Sequence, residues 1–311
     1  MPTAKEIWED AKKTEAWKSP PEEPGVYRDL DFDLYRQIDA VNFSSLKMIT
    51  VSHKHYLYQG TSEETPALAF GTLAHHGKLE PELLKEKYIG LPEKKFITQV
   101  QRWAKKPGNR PGKNDGKEFA NPRSSALYKE LVEKFMKDHP GKQQVSLAWW
   151  EDLKGLLKSL NGNPQSKKLF KDGEPELSLV WEDPGTKLLC KGRIDWCNHK
   201  EKAHADLKTT AATITDFCPF SYDYHMQAAF YQSGFKALTG ETYKPWCVAV
   251  EKKAPYSTIS APYSLESLRM GQRECSKCLR LLKKCRTAKK WPGPKGPQSW
   301  KPPHWYQEFS I

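Results

Sequence analysis

The feature that most restricts how this chain can fold is a strand–turn–strand pattern in its second half. Residues 187–197 and 203–209 read as strands, and the polar run Asn198-His199-Lys200-Glu201-Lys202 between them reads as a turn. Side chains alternate along a strand, so Asp206 and Lys208 emerge on one face while Ala205 and Leu207 go to the other. On the preceding strand Lys191, Arg193 and Asp195 share a face. A turn centred between Lys200 and Glu201 makes Asp195 and Asp206 a cross-strand pair, with Cβ atoms ~5 Å apart. Two like charges in that relation repel and call for a compensating cation, and carboxylate oxygens are what hard divalent ions prefer. An ion held there can polarise a phosphoryl oxygen and lower the pKa of its bound water. Lys208 is placed to orient that water or to offset charge on phosphorus. The competing reading is an ordinary surface hairpin with scattered charges.

Other segments add to this pair. Tyr224, Gln227 and Tyr231 recur at helical spacing within the expected helix 222–238, which Gly240 terminates. An amide and two phenols on one face offer hydrogen bonds to a phosphate or a base edge; a half-buried helix face is the plainer alternative. Phe70-Gly71-Thr72-Leu73-Ala74-His75 falls in a helix expected over 70–79, where Gly71 permits close backbone approach and His75 could complete a metal site. Strands are also expected at 176–181 and 245–250, and helices at 126–136, 146–160 and 265–290. A further helix begins near Asn42-Phe43-Ser44-Ser45, with Ser44 or Ser45 as the expected cap. Residues 1–36, punctuated by Ser19-Pro20-Pro21 and Pro24-Gly25, read as an extended arm, 37–290 as the main domain, and 291–311 as a docked tail.

Charge bears on partners. Lys+Arg outnumber Asp+Glu by 50 to 38, a net +12 that favours a polyanion as partner. The excess concentrates at 94–123, where nine Lys/Arg face two acids, Asp115 and Glu118. This stretch reads as a long basic loop, with Lys94, Lys95, Arg102, Lys105 and Lys106 as candidate contacts to a phosphate backbone. No uncharged apolar stretch approaches the ~18 residues of a membrane span, so no membrane partner is expected. The charged N-terminus argues against a signal peptide, and seven scattered Cys fit reduced thiols; a cytoplasmic location, in a bacterial or phage-infected cell, is the expectation.

Taken together, these segments resemble the RecE-type (exonuclease VIII) branch of the PD-(D/E)XK nucleases, relatives of phage lambda exonuclease and the RecB nuclease domain. The resemblance runs from about Asn42 to the C-terminus and includes Phe70-Gly-Thr-Leu-Ala-His75, Gly192-Arg-Ile-Asp195-Trp, Asp206-Leu-Lys208-Thr-Thr and Gln227-Ala-Ala-Phe-Tyr231. It implies an α/β fold, the restriction-endonuclease-like core with a mixed central β-sheet flanked by helices. It implies Asp195 and Asp206 as metal carboxylates, His75 and the Leu207 backbone carbonyl as further ligands, and Lys208 as the motif lysine. Gln227 with Tyr231 matches the Gln-x-x-x-Tyr motif, Glu176 the acidic position on the preceding strand, acting through water, and Arg193 and Tyr224 fall on the DNA side.

The implied activity is Mg2+-dependent hydrolysis of linear double-stranded DNA, 5′→3′, with Mn2+ able to substitute. A homo-oligomeric ring, trimer or tetramer, that feeds a single-strand annealing protein is implied as well. Cys275-x2-Cys278-x6-Cys285 invites comparison with iron–sulfur nucleases, but no Cys precedes Cys190 to supply the upstream fourth thiolate, and no cluster is expected. A structure-specific or single-strand endonuclease, and a non-catalytic DNA-end-binding recombination protein, are the competing functions.

Overall fold

Six strands form the central sheet of this computed structural model, which describes residues 19–58, 65–110 and 112–293. They are β1 (Gly25–Tyr27), β4 (Glu174–Glu182), β5 (Leu189–Asn198), β6 (Ala203–Thr210), β7 (Lys244–Glu251) and β8 (Thr258–Pro262), and they lie side by side in that order. Neighbours run antiparallel except β6 and β7, which are parallel, so the sheet is mixed as expected. A separate parallel pair joins β2 (Tyr88–Gly90) to β3 (Gln143–Val145).

Helices cover both faces. On one side α2 (Phe43–Val51), α10 (Tyr224–Thr239) and α11 (Leu265–Ala288) pack Leu46, Phe230, Phe235, Cys275, Leu279 and Leu282 onto Leu177, Leu179, Trp181 and Ile194. On the other side α4 (Pro66–Leu79) and α8 (Leu147–Gly162) pack Leu73, Leu153, Leu156 and Leu160 onto Ala205, Leu207, Val248 and Val250. Each such fully buried Leu contributes roughly 1.5–3 kcal/mol of transfer free energy. Shorter helices, α3 (His53–Leu57), α5 (Pro81–Lys87) and α9 (Pro164–Leu169), connect these layers. The thiols of Cys275, Cys278 and Cys285 belong to the first of these cores or its edge, where they pack as small apolar groups.

Several local expectations change. The cap of α2 is Asn42, whose side chain accepts the Ser45 N–H at 2.8 Å; the serines lie inside the first turn. Part of the N-terminal arm joins the sheet: Gly25–Tyr27 pairs with Ser178–Val180, and α1 (Phe32–Gln37) follows, capped by Asp31. The basic segment is a helix over its first third. In α6 (Glu93–Ala104) Phe96, Val100 and Ala104 recur every fourth residue and are buried, while Lys94, Lys95 and Arg102 face outward. The breaking residues Pro107-Gly108 come only after this helix has ended. It packs against α7 (Ala126–Lys137) and a 3-10 turn at Pro122–Ser124. Buried Glu93 fixes that unit, accepting from Arg123 at 2.7 Å and from the Leu147 N–H at 3.2 Å. Of the C-terminal tail, Trp291 stacks on Tyr56 with ring centroids 5.6 Å apart, and residues 294–311 lie outside the described residues.

Candidate active site

Ladder pairing places the site by failing there. Between β5 and β6 the register is Asn198↔Ala203, Cys197↔His204 and Trp196↔Ala205, the register the hairpin arithmetic predicts. It stops one pair short of Asp195 and Asp206. Between β4 and β5 the register passes from Pro175↔Trp196 to Leu177↔Ile194, stepping over Glu176, whose φ is +49°. Side-chain alternation slips at the same point. Ile194 and Cys197 both face the α10–α11 core although three positions separate them. Backbone groups freed by the slip are used: the Leu207 N–H donates to Asp195 Oδ2 at 2.7 Å.

This opening receives side chains from three elements. His75, on α4 beside buried Leu73 and Ala74, donates through Nε2 to the Leu207 carbonyl at 2.8 Å and lies 3.8 Å from Asp195 Oδ2. Glu176 accepts from Arg193 Nε at 2.6 Å, and the same guanidinium donates to the Leu30 carbonyl at 2.7 Å. One donor atom each from His75, Glu176 and Asp195 falls within 4.8 Å of the others. Neighbouring ligands of an octahedral ion at ~2.1 Å stand about 3 Å apart and opposite ones about 4 Å, so the spacing suits a hard cation.

Electrostatics agree. Burial pushes the Asp195 carboxyl well above the ordinary carboxylate range; nearby His75 works against this, and repulsion from Asp206 adds to it. A site that penalises its own carboxylate is one that a cation relieves.

Asp206 is not among the three converging donors. Its Oδ2 lies 2.6 Å from Lys208 Nζ, so in this structure Asp206 pairs with the lysine while Glu176 stands beside His75 and Asp195. Burial opposes the Lys208 ammonium, but Asp206 and Asp195 outweigh it and raise its pKa above the ordinary lysine value. Lys208 also lies over the Tyr224 ring, 4.5 Å from its centroid. On α10 the Gln227 amide donates to the Tyr231 hydroxyl at 3.0 Å. A Cβ on Gly192 would come within 2.8 Å of the Tyr231 ring, so the close approach of α10 to β5 requires glycine there.

Residues 42–297 match the family described as PDDEXK-like domain of unknown function (DUF3799). The chain belongs to the PD-(D/E)XK nuclease superfamily. No curated protein matches it. Among solved structures, a candidate exonuclease from Eubacterium rectale is similar over 84% of this chain and 91% of that one, at 14% identity and a TM-score of 0.48. The protein SSO0001 is similar over 68% and 86%, at 18% identity and a TM-score of 0.28.

The remaining expected site residues of this PD-(D/E)XK chain are distributed as follows. Arg193, expected on DNA, has a side chain 16% exposed and donates to Glu176 and to the Leu30 carbonyl. Lys191, expected on the Asp195 face, is buried and caps α1, donating to the carbonyls of Tyr35, Arg36 and Ile38 at 2.8–3.0 Å. His76 turns away and meets the Tyr88 hydroxyl at 3.1 Å. Lys94, Lys95, Arg102 and Lys106 line a surface groove of about 710 Å3 with Trp103. Lys105 is tied to Glu118 at 2.6 Å instead. Among the described residues, no helix is long and apolar enough to cross a membrane. Two aromatic residues that sequence reasoning passed over, Phe217 and Tyr222, stack beside Tyr224. Their signal is the density of rings between 217 and 224.

Proposed function

We propose that this protein is a Mg2+-dependent exodeoxyribonuclease of the RecE type. It hydrolyses linear double-stranded DNA processively from 5′ to 3′ and leaves 3′ overhangs for a single-strand annealing protein, working as a homo-oligomeric ring. The observation that carries the hydrolytic reading is the convergence of His75, Glu176 and Asp195 beside the Asp206–Lys208 pair, where the sheet opens. The resemblance of the motifs supports the choice of DNA ends, polarity, ring and partner.

In this reading His75, Asp195, Asp206 and the Leu207 carbonyl hold the ion and Glu176 beside them helps through water, with Mn2+ able to replace Mg2+. Bound there, a divalent ion supplies Lewis acidity toward a phosphoryl oxygen and a water of lowered pKa. The protein's own groups do the rest. Lys208 keeps its proton, so it acts as a donor and offsets charge gathering on the phosphoryl oxygens. Asp206 and the Tyr224 ring hold the ammonium in place. Arg193 fixes Glu176, and Gln227 fixes the Tyr231 hydroxyl.

The test compares linear duplex, nicked circle and closed circle, with Mg2+ and with chelator. Loss of linear DNA alone, only with metal, is the expected result, and cutting of the closed circle would instead make the protein an endonuclease. Asp206→Ala, which frees Lys208, is expected to abolish hydrolysis with DNA binding largely retained; undiminished cleavage would remove Asp206 from the mechanism.

A further inference from the structure

A cluster of three aromatic rings, partly exposed, lies against Lys208. Tyr222 and Tyr224 stack with centroids 5.3 Å apart and planes 20° from parallel. Phe217 stacks on Tyr222 at 6.3 Å and 20°, and tilts against Tyr224 at 6.4 Å. Asp223, between the tyrosines, takes the left-handed conformation at φ +58°, which brings rings two residues apart onto one side. The turn is pinned: Lys47 Nζ donates to the Tyr222 carbonyl at 3.2 Å and pairs with Asp223 at 2.9 Å. Tyr222 is nevertheless 47% exposed, and neighbouring Phe220 is 42% exposed.

Large flat rings held rigidly in water are costly to leave uncovered. The inner end of the stack carries the Lys208 ammonium, 4.5 Å from the Tyr224 ring. An occupant therefore needs flat unsaturated faces, and a chain of net charge +12 favours one that also carries negative charge. Unpaired nucleotides have both, and base–aromatic stacking is indifferent to base identity. Paired bases do not fit, because their faces are already covered by their neighbours.

We infer that Phe217, Tyr222 and Tyr224 form a base-stacking platform that takes the unpaired terminal bases of the strand being cut, so that this strand reaches Lys208 single-stranded. The inference rests on the nuclease reading for its geometry, and its test is a binding measurement that needs no cleavage. The intact chain in chelator is mixed with a duplex bearing a short single-stranded end labelled with 2-aminopurine, and with a dumbbell duplex closed at both ends.

The expected result is quenching of the fluorophore by the wild-type protein. Tyr222→Ala should lose the quenching and bind the open-ended probe about tenfold more weakly. Tyr222→Trp should restore both, and all three proteins should bind the dumbbell alike. Unchanged quenching in both Tyr222→Ala and Phe217→Ala would overturn the platform, as would an equal loss of dumbbell binding. Quenching that depends on Tyr222 in a protein that never cleaves DNA with Mg2+ would uphold the platform and remove the nuclease reading.

Discussion

His204 lies on the β6 face that also carries Asp206 and Lys208, and it is used quite differently from either. It is buried, its ring lies against Phe235 at 5.3 Å and Tyr231 at 6.3 Å, and neither nitrogen has a hydrogen-bond partner among the described residues. Burial pulls its pKa down to about 3, whereas the unfolded chain titrates near the ordinary histidine value of about 6.5. Between these values the unfolded state binds the extra proton. Stability therefore falls as pH drops below about 6.5 and goes on falling until the folded-state pKa is reached. His204→Leu keeps the bulk and removes the proton site. Its urea midpoint should match or exceed wild type at neutral pH, and at about pH 4.5 it should escape on the order of 2 kcal/mol of the acid destabilisation. Parallel pH curves for the two proteins would show that His204 titrates normally.

Helix contacts differ in how close they come, and two helical glycines make this measurable. In α11 a Cβ on Gly271 would lie 2.5 Å from the His225 carbonyl oxygen of α10, a backbone atom that no rotamer change can move. Gly271→Ala must push α10 and α11 apart, at a cost of about 1–3 kcal/mol or more in chemical unfolding. In α4 the corresponding atom on Gly71 would meet Thr209 Oγ1 at 3.6 Å, an ordinary contact. The close approach expected at Gly71 is thus not tight enough to need glycine, and Gly71→Ala should stabilise by up to about 1 kcal/mol through helix propensity. Equal losses for both variants would contradict these crossings.

At the scale of the whole molecule, net charge bears on how the proposed DNA substrate would be held. The groove on α6 gathers Lys94, Lys95, Arg102 and Lys106 with no carboxylate in its lining, while the carboxylates near the sheet opening face Arg193, His75 and Lys208. Replacing the four groove cations with Gln should weaken duplex binding and reduce the slope of log affinity against log salt by as many as about four units, one for each phosphate no longer neutralised. A slope equal to wild type would assign the groove to solubility. Cleavage per bound complex should be little changed, since none of the four lies among the catalytic groups.

Strand and helix identities between Glu174 and Glu251 are legible in the sequence because each element is short, strongly patterned and bounded by polar turns or Gly240. The β5–β6 register is legible too, since a hairpin's turn fixes the sum of paired positions. Helix α6 is not, because its lysines and the following Pro-Gly pairs hide a four-residue apolar period. Local sequence thus determined which segments became strands and which residue types gathered near Asp195. Only tertiary structure decided that the ladders break at Glu176 and Asp195 and that Glu176 comes to stand beside His75 and Asp195. That arrangement draws on the His75 ring from α4 and the Glu176 carboxylate from β4, and a pairing rule local to the β5–β6 hairpin contains neither.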